Sequence, residues 1–165
     1  MECEEEDVGW GQKCYGLGCI TSKGVRRLHR ITGTMDAKKY CAILEESLLG
    51  TLQDYQLSPR TFIFQQDNDR KHTSKLAQQW FATHNILLLP WPSSSPDMNI
   101  IEHVWNELDH RVRTRNPLPR NCEELWVALQ EEWYRLDVAF IQKLYDSLPR
   151  RVQALKAAKG HHTRY

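Results

Sequence analysis

The chain has 165 residues, enough for one domain that buries roughly 70% of its unfolded surface, and no stretch approaches the ~18 apolar residues of a membrane span. Net charge is only +1. Five acids nevertheless crowd into Glu2, Glu4, Glu5, Glu6 and Asp7, so that beyond them 22 Lys and Arg face 16 acids, a balance that favours a polyanionic partner weakly. The five cysteines include no C-x-x-C pair and no signal-like apolar run precedes them, which predicts free thiols and an intracellular, reducing compartment. Cys14, Cys19 and His29 fit no common zinc spacing.

Residues 1–8 have the composition of a solvated acidic tail, and residues 9–165 read as one domain. Gly9 to Ile20 and Val25 to Ile31, joined by Thr21-Ser22-Lys23-Gly24, predict a hairpin, with Gly16 and Gly18 diluting its first strand. Asp36 is placed to cap a helix whose apolar positions Tyr40, Cys41, Leu44 and Leu48 recur at helical spacing and which should end near Gly50. Phe62-Ile63-Phe64 predicts a strand buried on both faces. Thr73 or Ser74 can cap a helix carrying Leu76, Ala77, Trp80, Phe81 and His84, and residues 86–89 supply another buried strand. Strand, helix, strand implies a parallel pair and an α/β domain. After a Pro/Ser loop at 90–96, Ile101, Val104, Trp105, Leu108 and Val112 form one helical stripe with Asp97 as its cap. Leu125, Trp126, Leu129 and Trp133 mark the next helix, and Phe140, Ile141, Leu144 and Leu148 a third.

Two carboxylates stand in distinctive surroundings. Asp67 closes the apolar segment Phe62 to Gln66, and Glu102 lies in the first turn of the helix that follows the Pro/Ser loop, 34 residues intervening. An acid at a strand end and another at a helix start is a common arrangement for metal-dependent phosphodiester chemistry. Alone, each has an ordinary reading: a turn-capping acid at 67, and an acid complementing the helix dipole at 102.

The segments Phe64 to Ser74 and Trp91 to Glu102 together closely resemble the second and third acidic motifs of Tc/mariner superfamily transposases, in the branch whose third acid is Glu. Gly33-Thr34-Met35-Asp36 and the ending Ser147 to Ala154 agree with the same family. The resemblance implies a truncated RNase H-like fold, a mixed sheet flanked by helices, that lacks the family's first, central strand and the acid on it. It implies Asp67 and Glu102 as catalytic residues and as ligands to Mg2+ or Mn2+, DNA as partner without sequence preference, and a nuclear location. It also implies a fragment inactive by itself, with an open strand edge available for self-association or another partner. A reused, non-catalytic DNA-binding or protein-interaction module is the alternative. Arg70 and Ile100 stand where the family usually has Pro, and Leu17 where it often has Trp. For weak phosphate contact the candidates are Lys71, His72, Arg111 and Arg115; solvated helix faces explain such cations equally simply. Arg150, Arg151, Lys156, Lys159 and Arg164 place five cations and no acid in the last 16 residues.

Overall fold

The computed structural model describes residues 2–7, 14–92 and 98–158. Among these residues five strands and six α-helices follow one another: β1 (Glu2–Asp7), β2 (Tyr15–Thr21), β3 (Gly24–Ile31), α1 (Ala37–Ile43), α2 (Leu49–Asp54), β4 (Ile63–Phe64), α3 (Lys75–Thr83), β5 (Leu87–Leu88), α4 (Ile101–Arg113), α5 (Cys122–Tyr134) and α6 (Val138–Ala157). The predicted hairpin is present as β2 and β3, turning at Gly24 with φ +109°, a conformation suited to glycine. Its predicted beginning at residues 9–13 lies outside the described residues, as do Asp97, Lys159 and Arg164.

The acidic N-terminus departs from its composition. Glu2–Asp7 forms a strand, antiparallel to β2, in a three-stranded sheet of order β1-β2-β3. Strand propensity argues against such a segment, but the edge of β2 carries backbone N–H and C=O groups that need partners, and β1 supplies them. The edge expected to stay open for a partner is therefore filled along β2 by the chain itself. The register sets Cys3 opposite Cys19, and Cys19 is disulfide-bonded while Cys14, Cys41 and Cys122 are free. Free thiols at all five positions were the wrong expectation for Cys19.

Asp36 caps α1 as expected, accepting from the Lys39 amide at 2.8 Å. The helix does not stop near Gly50: a π-helical turn at Leu44–Leu48 leads into α2 and on to Asp54. Gly50 serves instead as a point of close approach, since a Cβ there would lie 2.7 Å from the Arg27 guanidinium, which reaches across to Asp54 at 3.0 Å.

The parallel pair is also present, Ile63 opposite Leu87 and Phe64 opposite Leu88, with α3 as crossover. Only one of its faces is buried. Phe64 is fully enclosed whereas Ile63 and Leu87 are more than half exposed. The apolar runs read as doubly buried strands are thus half-buried, because helices α1 and α3 cover one side only. Leu76 of α3 is likewise exposed, leaving Ala77 and Phe81 as that helix's buried residues.

Two apolar clusters divide the interior. One joins β2 and β3 to α4, α5 and α6 through Ile20, Leu28, the complete predicted stripe of α4, Leu125, Leu129, Trp133 and Ile141. The other joins the opposite side of β2 to α1, α3 and β4 through Leu17, Ile31, Tyr40, Leu44, Leu48, Phe64 and Phe81. Gly18 decides how closely the first cluster packs. A Cβ at this position would lie 2.6 Å from the Trp133 ring and 2.9 Å from that of Trp105, and the two rings stack 5.1 Å apart against the bare strand. The glycine that dilutes the strand pattern is the one that admits both indoles.

Candidate functional site

Asp67 leaves the end of β4 in a loop built by successive side-chain acceptors. Its Oδ1 accepts from the Asp69 amide at 3.0 Å, and Asp69 in turn accepts from the Lys71 amide at 3.0 Å and from Lys71 Nζ at 2.7 Å. Short polar side chains bonding backbone two residues on are the usual means of fixing a turn. The Asp69 carbonyl receives the amides of His72 and Thr73, and Ser74 then caps α3 by accepting from Ala77 N at 3.1 Å.

Beneath Asp67 lies His72, whose side chain is 2% exposed against 40% for Asp67. Nδ1 of His72 contacts the same Asp67 Oδ1. An ionised carboxylate only accepts, so the proton resides on Nδ1. Nε2 is buried with no partner, and the ring packs 4.2 Å from that of Tyr40. The Tyr40 hydroxyl donates to Gln66 Oε1 at 2.5 Å, while Gln66 Nε2 donates to the His72 carbonyl at 3.1 Å, closing a ring of contacts around the loop. Burial raises the Asp67 pKa, but the hydrogen bonds from His72 and from the Asp69 amide outweigh it and leave the carboxyl below its ordinary value. Burial, with the Asp67 charge second, pushes the Tyr40 phenol upward. The phenol therefore stays a donor.

Glu102 lies in the first turn of α4 and is half-buried. The segment leading to it meets the Asp67 segment directly, for buried Gln65 Nε2 donates to Asn99 Oδ1 at 3.4 Å. The C-terminal motif docks on the same turn: Arg151, 4% exposed, donates from Nη2 to His103 Nε2 at 2.9 Å and from Nε to Ser147 Oγ at 2.8 Å. Burial, then the Arg151 charge, lowers the His103 pKa, in keeping with an accepting imidazole.

Burial of His72 and Arg151 departs from the surface readings of both residues. His72 is enclosed beneath Asp67. Lys71 is engaged with Asp69. Arg111 pairs with Glu107 at 2.7 Å, and Arg115 with Glu131 at 2.7 Å and Glu132 at 2.6 Å. Arg111 is nine residues along α4 from Glu102, roughly 14 Å at the helical rise. The structure therefore unites the acidic motifs but holds Arg111 and Arg115 apart from them, already paired. Tyr40, Gln66 and Arg151 were missed as parts of the site. Tyr40 belongs to an apolar stripe and Arg151 to a cationic run, patterns that carry no sign of such contacts.

Asp67 opens onto a cleft of about 210 Å³ lined by Gln66, Asn68, His72, Leu89 and Trp91 among others. Its second oxygen and the Glu102 carboxylate are hard donors, the type that suits Mg2+ or Mn2+. Among the described residues, however, no group of three or more His, Cys, Asp or Glu side chains gathers to hold a metal. The donor chemistry fits a divalent ion; the donor number is incomplete.

A family profile described as DDE superfamily endonuclease matches residues 2–135. The chain belongs to the DDE superfamily. It is 41% identical over 150 residues to the Tc1 transposase of Caenorhabditis elegans, covering 90% of this chain and 53% of that one. The Tcb1 transposase of Caenorhabditis briggsae is 39% identical over the same shares. The chain thus spans about half the length of these curated relatives. Among solved structures, the Mos1 transposase catalytic domain with raltegravir and Mn superposes with a TM-score of 0.88 at 22% identity, over 99% of this chain and 84% of that one. The Mos1 mariner paired-end complex with Mn superposes at 0.84 with 21% identity, over 94% and 46%. These structural likenesses show the mixed α/β, RNase H-like fold.

Proposed function

We propose that this chain is part of the catalytic core of a Tc1-type transposase, acting on DNA phosphodiesters in the nucleus, with Asp67 and Glu102 as its ligands to Mg2+ or Mn2+. The contact between Gln65 and Asn99, which ties the Asp67 segment to the Glu102 segment, carries the reading. A bound divalent ion would supply activation of water or a DNA 3′ hydroxyl and stabilisation of the leaving oxygen. The chain's own residues orient the donors. His72 Nδ1–H and the Asp69 amide hold one oxygen of Asp67, a residue that lines the cleft, while burial of the α4 stripe fixes the helix from which Glu102 projects.

With fewer than three carboxylates gathered among the described residues, this chain alone binds the ion weakly and neither nicks nor joins DNA. Strand cleavage depends on placing metal, attacking oxygen and leaving oxygen together. Nonspecific DNA binding rests on cations outside the pairs described above and falls steeply as salt rises. Incubation with supercoiled plasmid and Mn2+ tests the proposal, with intact plasmid as the expected result; nicking that disappears in Glu102→Ala would show a complete catalytic site. A Mn2+ titration followed by electron paramagnetic resonance should give weak binding that is lost in Asp67→Ala with Glu102→Ala. Binding that survives both substitutions would place the metal elsewhere.

A further inference from the structure

A second cleft, of about 740 Å³, opens between the start of β2, the end of β3 and the first turn of α5, and Lys71 of the Asp67 loop borders it. Cys14, Cys122, Arg30 and Lys71 line it. The two cysteines are far apart in sequence, yet the Cys14 thiol hydrogen-bonds the Cys122 sulfur. Arg30 Nη2 donates to that sulfur at 3.2 Å, and its guanidinium is held in place by both oxygens of Glu123 at 2.7 Å. Accessibility separates the two thiols. Cys14 is 1% exposed, whereas Cys122, the first residue of α5, is only partly buried at the cleft. Both are free, in a chain that already carries Cys19 in a disulfide.

We infer that Cys122 and Cys14 form a thiol pair that exchanges with small-molecule disulfides entering this cleft, closing to an intramolecular disulfide that staples β2 to α5. The Cys122 thiolate attacks one sulfur of the incoming disulfide, forming a mixed disulfide and expelling one thiolate. The Cys14 sulfur then attacks Cys122, its proton passing to the second departing thiol. Two protein thiols are oxidised and one small disulfide is reduced to two thiols, so atoms and electrons balance. The order follows from access, because Cys122 is the more exposed of the two thiols. Burial, with the adjacent Cys122 sulfur second, pushes the Cys14 thiol up to about 12, which keeps it a protonated donor until exchange begins.

Incubation of the full chain with oxidised glutathione, followed by alkylation, digestion and mass spectrometry, tests this on the unaltered protein. The expected product is monomeric, with peptides containing residues 14 and 122 joined to each other and Cys41 still alkylated. Cys14→Ser should arrest the reaction at a glutathionyl adduct on Cys122, and Cys122→Ser should leave Cys14 unmodified, with circular dichroism confirming that each variant is folded. An unaltered chain that retains both thiols, or that keeps a stable adduct on Cys122 without linking to Cys14, would overturn the inference. Either result reads independently of metal binding or DNA cleavage.

Discussion

The two acids are held by different physics. Glu102 rides on α4, whose position is set by apolar contact: every residue of its stripe is buried, and Trp105 stacks with Trp133 over Gly18. Asp67 sits in a loop without regular structure, set by directional hydrogen bonds from His72 and Asp69 and by the Tyr40–Gln66 contact behind them. Close packing tolerates little change of volume but is indifferent to pH. A polar network tolerates shape changes at its rim but fails when one partner is removed or protonated. The Gln65–Asn99 contact is where the two regimes meet.

The sharpest test on the packed side is Trp133→Ala. Trp133 is fully buried and its Nε1 donates to the Arg26 carbonyl at 2.7 Å, so truncation opens a cavity and removes that hydrogen bond. A loss of about 3–5 kcal/mol is expected from urea denaturation. Gly18→Ala, which drives a methyl group into both indoles, should cost about 3 kcal/mol, the upper end for overpacking. It should also weaken Mn2+ binding through displacement of α4, while leaving the Asp67–His72 contact intact by NMR. A near-neutral Gly18→Ala would mean that the indoles yield easily and that packing does not set the position of α4.

On the polar side, His72→Leu keeps the buried position apolar and removes the donor to Asp67. A loss of about 2 kcal/mol is expected at neutral pH, accompanied by a rise in the Asp67 pKa measurable by carboxyl NMR. The smallest effect is acid dependence. Asp67 titrates below its ordinary value of 3.8 in the folded chain, so the stabilisation from its ionised form is fully present above that ordinary value. It is lost as pH falls through the lower, folded value. Because the carboxylate is 40% exposed, solvent screens much of this contribution. Unfolding curves of the unaltered chain and Asp67→Asn should therefore converge modestly on acidification below about pH 4. Trp133→Ala should change the level of the stability curve without altering that trend. Parallel curves for the chain and Asp67→Asn would show that His72 does not preferentially stabilise the carboxylate.

Local pattern determined much of this protein. The α4 stripe from Ile101 to Val112, the caps at Asp36 and Ser74, the hairpin turn at Gly24 and the parallel pair across α3 all follow from periodicity and short-range hydrogen bonding. The positions of both acids, one after a strand and one in a helix's first turn, were legible for the same reason. Contacts between distant segments were not. The acidic Glu2–Asp7 becomes a strand because β2 has an edge to fill, and Gly18 is required because two indoles from separate helices converge on it. His72 and Arg151 have the composition of surface residues yet are buried, each beside a partner that offsets part of its desolvation. Propensity and capping depend on neighbours a few residues away; pairing, burial and close approach depend on which distant residue arrives opposite, and only the folded chain settles that.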